Sequence, residues 1–559
     1  MRQAAVAVSG PRPATDGAPG DRHGVLRWAR RRAAPLLVTA VVMGTAFAFS
    51  LWWNLHVDHN TVWYEPADLW RTMLAAVRLD HGQLGQLYSD GTNLVSFPGA
   101  AVILAPAAAL ISAIHAPLGP PIGSVTDTNA WLIALPYTVA ISCSVLFAAD
   151  RLAERMGVRT GKRMALAAAG GVALWNVVPY WGHPEDCVAV ALLLFAVDAA
   201  AAGRPWRSAW LVGLGLAVQP LVMLAVPILA VVSGRRQIVG WLARAAVPPA
   251  VALGAALATN WSATWYQVVD QPNWPYIDRP TPWIALAPHL TTQTVAAGPG
   301  RSIAVVLAVV ACWPAWRAWQ RVGGDGSVPA ADQVPVGGEG SAMSSSSTDD
   351  VAPTEATPAP ASLGLQSVPL RASGAMHDPD PSAARHARAG EGWALPWPPA
   401  ATAAVVWWVA VALALRCGFE SVMVSYYIWP AIAIGMLAAV TSWWRLVPAA
   451  ALGIGLTAFC NVWWHGEWPW WSVIVVTLAL LLTAAYPSTA FGRQARAGGT
   501  TTSSSSEEEG RNGIPEPTAL GVMHGAGDVS PLQPLQPLLP WPATGPGTTT
   551  SPGGGGNPA

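Results

Sequence analysis

The chain has 559 residues, 52% of them hydrophobic and only 11% charged, and its 31 basic and 31 acidic side chains cancel. So little charge cannot coat a soluble globule of this length, which points to an integral membrane protein. The zero net charge provides no basic field for nucleic acid, and the five cysteines (Cys143, Cys187, Cys312, Cys417 and Cys460) have no metal-ligand spacing, so neither a zinc site nor a disulfide framework is expected.

Residues 1–33 read as a disordered cytoplasmic N-terminus closing on RWARRR. An apolar run from Pro35 to Leu55 comes next, and further span-length runs lie near 129–149, 163–180, 185–201, 238–259, 301–319, 400–416, 421–441, 446–464 and 468–486. Roughly 20 apolar residues cross a ~30 Å hydrocarbon core. Two runs are broken by proline: 99–114 at Ala105-Pro106, and 208–233 at Gln219-Pro220.

Arginine placement sets the topology, because short cytoplasmic loops collect Lys and Arg. The basic turns 150–163, 203–207, 234–236 and 317–321, with Arg445, Arg493 and Arg496, can share one side only if both Pro-split runs enter and leave the membrane on the same side. Each half of 208–233 would be about 20 Å of helix, suited to a hairpin of half-helices. Both termini are then cytoplasmic, and the polar loops carrying most acids and histidines face outward. Residues 322–392 and 491–559 are Ser-, Gly- and Pro-rich and read as a disordered linker and tail. They bound a transmembrane module at 34–321 and a four-helix module at 393–490. The fold class expected is an all-α polytopic membrane protein, with about ten full spans, re-entrant or half-helix segments, and short helices on the first external loop.

In that loop, Leu69, Met73, Leu74 and Val77 recur at helical spacing after Pro66, so 67–79 is expected to form a short surface helix. Asp68 falls in its first turn, where it either complements the helix dipole or serves as a base at the membrane interface. His56, Asp58 and His59 are metal-ligand types, but HVDH adds no ligand geometry, and no cofactor is expected.

The order Asp68, short helix, Gly82, Leu87-Tyr88, Phe97-Pro98 before AAVILAPAAAL resembles the first loop of polyprenol-phosphate-dependent mannosyltransferases of the C-type membrane glycosyltransferase superfamily. The likeness continues through GHPEDCVAVALLLF, a basic turn and the Gly-rich run to Gln219-Pro220, covering about 35–320. The resemblance implies that Asp68 is the base that deprotonates an acceptor hydroxyl. It also implies a polyprenyl-phosphate sugar donor at the outer leaflet of the cell membrane, mannose in the family, and a glycolipid or glycan acceptor. Two places depart from the pattern: Gly182 is followed by His183-Pro184-Glu185-Asp186 where the family reads Gly-Gln and carries an amide, and Gln219 stands where it has a basic residue near the half-helix tip.

Read from the residues alone, Pro184 opens a helix with Glu185 and Asp186 in its first turn, which is ordinary capping chemistry. Two adjacent acids and a histidine at a bilayer interface are nonetheless costly unless hydrated or paired, and sugar or proton handling would employ all three. His183, Glu185 and Asp186 are therefore candidate substrate-binding residues, together with Glu65, Asp58 and Tyr88. Arg416 and Arg301 are candidates for a donor phosphate, with pairing of Arg416 to Glu420 as the alternative. Trp274, Asp278 and Trp283 are secondary candidates, the indoles for sugar stacking and the carboxylate for hydroxyl hydrogen bonds, with an interfacial loop resting on headgroups as the alternative. The competing functional readings are a polytopic transporter and a non-catalytic scaffold of the same architecture.

Overall fold

Backbone polar groups in lipid have to be satisfied within their own segment, so apolar runs of this kind become helices. The computed structural model describes residues 22–56, 67–89, 92–116, 129–234, 237–275, 279–321, 396–462 and 466–487. They all belong to one packed unit. In chain order the helices are α1 (Arg22–Arg31), α2 (Ala33–His56), α3 (Ala67–Asp80), α4 (Pro98–Ala113), α5 (Asn129–Ser142), α6 (Ser144–Arg155), α7 (Thr160–Trp175), α8 (Pro184–Ala201) and α9 (Pro205–Val218). The remainder are α10 (Val226–Val232), α11 (Ile238–Thr259), α12 (Trp261–Trp265), α13 (Gly300–Arg321), α14 (Pro399–Phe419), α15 (Trp429–Ala439), α16 (Trp443–Val462) and α17 (Glu467–Ala485). Two short strands, β1 (Arg279–Pro280) and β2 (Val422–Met423), pair antiparallel.

The architecture is all-α and polytopic: among the described residues six helices are long and apolar enough to cross a membrane, seven if the bent pair α1–α2 counts as one span. That is fewer than the ten expected. Helix α7 gives way to a π-helical turn at Asn176–Tyr180, and α8 carries Glu185, Asp186 and Asp198. The run 421–441, expected as one span, divides into β2, a 3-10 turn (Ser425–Ile428) and the eleven-residue α15. Its first residues are drawn into pairing with β1, which takes them out of the helix.

Polar contacts sort the helix ends into two layers. At one end Arg32, at the start of α2, meets Asp150 and Glu154 of α6, while Arg163 of α7 also binds Asp150. Arg151 and Arg155 bind Asp198 near the end of α8 at 2.7 and 2.6 Å. Trp397, ahead of α14, donates to the Ala201 carbonyl, and Lys162 to that of Thr441 between α15 and α16. We call this the basic end. The opposite, far end gathers the start of α8, the end of α9, the junction of α14 with α13, and the end of α16.

Between these ends the chain from α9 to α10 forms a hairpin. Helix α9 leaves the basic end three residues after α8, and the residue after it, Gln219, reaches Asp186 at the far end. A 3-10 turn (Pro220–Ala225) and α10 bring the chain back, and α11 starts again toward Asn260, which bonds Gly85 of the first loop. Fourteen residues of α9 are about 21 Å of helix, enough to run alongside α8 between its two charged ends.

The other Pro-split run is different. It forms the single helix α4 with Pro106 inside, not a re-entrant pair. One proline removes one N–H and crowds one carbonyl, which bends a helix without reversing it, whereas Gln219 is extended (φ −147°, ψ 123°) and breaks the chain direction. Helix α4 starts at the far end, where Gly99 lies against the backbone of Ala217 and Val218 and leaves no room for a Cβ. The helices after the linker are not set apart from those before it: α14 packs on α13 and α8, and α15 and α16 pack on α7.

Candidate functional site

The far end holds the acids and amides that lack an obvious structural partner in sequence. Its framework is the turn between α7 and α8. The π-turn ends on Trp181, and Gly182 takes a positive φ of 76° that a side chain would strain. A Cβ on Gly182 would also come within 2.9 Å of the Leu69 Cβ, so this glycine lets α3 dock onto the turn. Leu69 is fully buried there, directly after Asp68 in the chain. Pro184 then opens α8 with Glu185 and Asp186 in its first turn, where the helix dipole favours acids, although no side chain caps the helix start.

Both acids bond side chains from elsewhere in the fold or in the preceding turn. His183 Nδ1 lies 2.8 Å from Glu185 Oε1, which also accepts from Ser96 Oγ at 3.3 Å. Glu185 Oε2 is buried and has no hydrogen-bond partner among the described residues. Gln219 Nε2 donates to Asp186 Oδ1 at 2.6 Å, so the hairpin tip is held by an acid of the neighbouring helix. The His183 ring stacks on Tyr426 with centroids 3.7 Å apart and 24° between planes. Tyr426 also leans against Trp181, whose indole donates to Asn461 Oδ1 at 3.1 Å, and Asn461 in turn bonds Asn176. His183, Glu185 and Asp186 are all buried.

A second charged group adjoins the first. Glu420 is completely buried; its Oε1 accepts from Arg301 Nε at 2.6 Å with Arg301 Nη2 in ion-pair contact at 2.5 Å, and its Oε2 accepts from Arg416 Nε at 3.3 Å. Arg301 also bonds Gln271. Arg416 lies 3.9 Å over the Tyr427 ring and within Coulombic reach of Asp186, which joins the two groups. Two guanidiniums against one carboxylate leave one positive charge, beside two carboxylates that face an imidazole and a neutral amide.

Of the residues singled out in the sequence, His183, Glu185, Asp186 and Gln219 come together, with Arg416 adjacent and Arg301 beyond it. Both arginines are paired with Glu420, the structural alternative to phosphate binding. The Tyr88 hydroxyl donates to the Ser96 carbonyl at 3.0 Å, and burial pushes its phenol well above the usual range, so it remains protonated and shapes the loop. Asp68 is the second residue of α3. Its side chain lies outside the described residues, as do Asp58, His59, Glu65 and Asp278. Trp283 bonds the Gly418 carbonyl at 2.7 Å, and Trp274 lies 5.8 Å from the Arg71 guanidinium, so both pin the 260–300 loop. Among the described residues no group of three His, Cys, Asp or Glu is placed to hold a metal.

Sequence reasoning did not single out Ser96, Tyr426, Asn176 or Asn461. The polar stretches SYY within the run 421–441 and CN near the end of 446–464 were the available signal for Tyr426 and Asn461. No family model, no curated protein and no solved structure matches this chain.

Proposed function

We propose that this chain is a multi-pass membrane glycosyltransferase of C-type architecture. In this reading it moves a sugar from a polyprenyl-phosphate donor to a glycan or glycolipid acceptor on the face opposite its arginine-rich turns, in the cell membrane with both termini cytoplasmic. One observation carries the reading. The start of the Asp68 helix, the GHPED turn, the hairpin tip and Arg416 converge at the end of the bundle away from the basic turns.

The chemistry is built from those residues. Asp68 takes the proton of the acceptor hydroxyl as its oxygen attacks the anomeric carbon. The bond from that carbon to the phosphate oxygen breaks, and polyprenyl phosphate leaves with the electron pair. Glu185, through Oε2, accepts a hydrogen bond from a sugar hydroxyl, which satisfies a buried carboxylate oxygen that otherwise costs free energy. Arg416, held more loosely on Glu420 than Arg301 is, meets the phosphate. The hydrocarbon tail of such a donor remains in lipid, so no nucleotide-binding loop is required. The transporter alternative wants its acids in mid-span. Here Asp186 meets Gln219 in the first turn of α8, and Asp198 is neutralised by two arginines at the other end.

The test is transfer of labelled sugar from polyprenyl-phosphate hexoses in membranes containing the full chain. Asp68→Asn is expected to lower transfer by about 10²–10⁴-fold, the range for a general base, while donor binding is retained. Undiminished transfer by the variant would refute Asp68 as the base. Donor binding without transfer by the unaltered chain would point to the non-catalytic scaffold.

A further inference from the structure

Helix α1 stands apart from the rest of the basic end. Its axis is turned by 72° from that of α2. Helix α2 alone has 24 residues, about 36 Å, so the span is complete without α1. What remains is a ten-residue segment laid across the end of the bundle.

Its two faces differ. Val25, Leu26 and Trp28 are 67%, 57% and 53% exposed, and with Ala29 they fall together on the 3.6-residue period. Arg27, Arg30 and Arg31 occupy the opposite side and are also exposed. Three large exposed apolar side chains on one face are unfavourable against water but suit the boundary between headgroups and acyl chains. The helix is held in this attitude: Trp28 stacks on Phe147 of α6 with 4° between the rings, and Arg31 and Arg32 bind Glu154. Exposed Arg151, Arg159, Arg204 and Arg207 lie in the neighbouring turns of the same end, so the surface that α1 rests on is cationic. The complementary surface is an anionic leaflet.

We propose that α1 is an interfacial helix. It lies in the headgroup layer with Val25, Leu26 and Trp28 facing the acyl chains and Arg27 and Arg30 facing anionic headgroups. It thereby fixes the depth at which the basic end meets the membrane. The proposal is independent of the catalytic reading.

The experiment uses the full chain in nanodiscs of phosphatidylcholine, with or without phosphatidylglycerol. Only Cys312 needs replacing by serine, because the other four cysteines are buried. A spin label is placed at Val25→Cys or at Arg30→Cys, and its relaxation by oxygen, which partitions into lipid, is compared with that by a water-soluble nickel chelate. The expected result is that the label at 25 is relaxed by oxygen and shielded from nickel, with the reverse at 30. Phosphatidylglycerol should deepen the label at 25, and Arg27→Gln with Arg30→Gln should abolish that shift. Equal access of nickel to both positions in both lipids overturns the proposal, since α1 then lies in water. Shielding of position 25 from both reagents overturns it too, since protein then covers that face. A lipid shift that survives loss of the two arginines overturns their role.

Discussion

The two ends of the bundle satisfy their buried charges in different ways. At the basic end every described buried acid has guanidinium partners: Arg163 binds Asp150 through two nitrogens at 2.7 Å each, and Asp198 takes one bond from each of two arginines. At the far end Glu420 is likewise paired with two arginines, but Glu185 has only an imidazole and a hydroxyl, and Asp186 accepts from a neutral amide. Guanidinium–carboxylate pairing locks helices together and leaves little charge to offer a ligand. Acids without a guanidinium hydrogen-bonded to them retain more of their field and cost more to bury, which is the arrangement expected where a protein binds or transforms something.

That contrast is open to challenge by mutation. The largest stability loss is expected for the double variant Arg32→Ala with Arg163→Ala, which removes both guanidiniums from the buried Asp150; leaving such an acid unpaired costs about 3–5 kcal/mol, read as a fall in the melting temperature of detergent-purified protein. If Glu185→Gln were as damaging to melting, the two ends would not differ in kind. Its expected phenotype is near-normal melting with sugar transfer reduced on the order of 100-fold, because the amide keeps the shape but loses the charge.

Gln219 probes the hairpin tip. Gln219→Leu leaves Asp186 without its donor and should cost about 2 kcal/mol in melting experiments, whereas Gln219→Lys should preserve stability by replacing an amide donor with a charged one. Loss of stability in the lysine variant would show that Asp186 is not carrying charge toward the tip. The smallest effect is expected for Arg151→Ala. Its side chain is half exposed and Arg155 still holds Asp198, so the melting temperature should barely move, in line with exposed pairs worth about 1 kcal/mol or less.

Sequence periodicity and the arginine turns already implied helices, their approximate limits and two opposed ends. The hairpin at Gln219-Pro220 was legible because a polar residue preceding proline in an apolar run removes two reasons to continue a helix. The same reasoning misread Ala105-Pro106, where apolar side chains on both flanks keep α4 intact, and 421–441, where β1 competes for the backbone. At the far end, GHPED stood out because acids before an apolar run are rare, while Ser96, Tyr426 and Asn461 did not, since single polar residues at helix ends are common.

Composition and spacing by themselves determined a helical membrane chain with a cationic and an acidic side, because hydrophobic length and loop charge are local properties of the sequence. Tertiary structure decided which acid meets which partner. Asp186 and Gln219 are 33 residues apart, and Glu420 and Arg301 are 119 apart. Such contacts depend on which helices lie side by side and in what register. Helix packing sets both through side-chain volume and close glycine contacts, which no local pattern encodes.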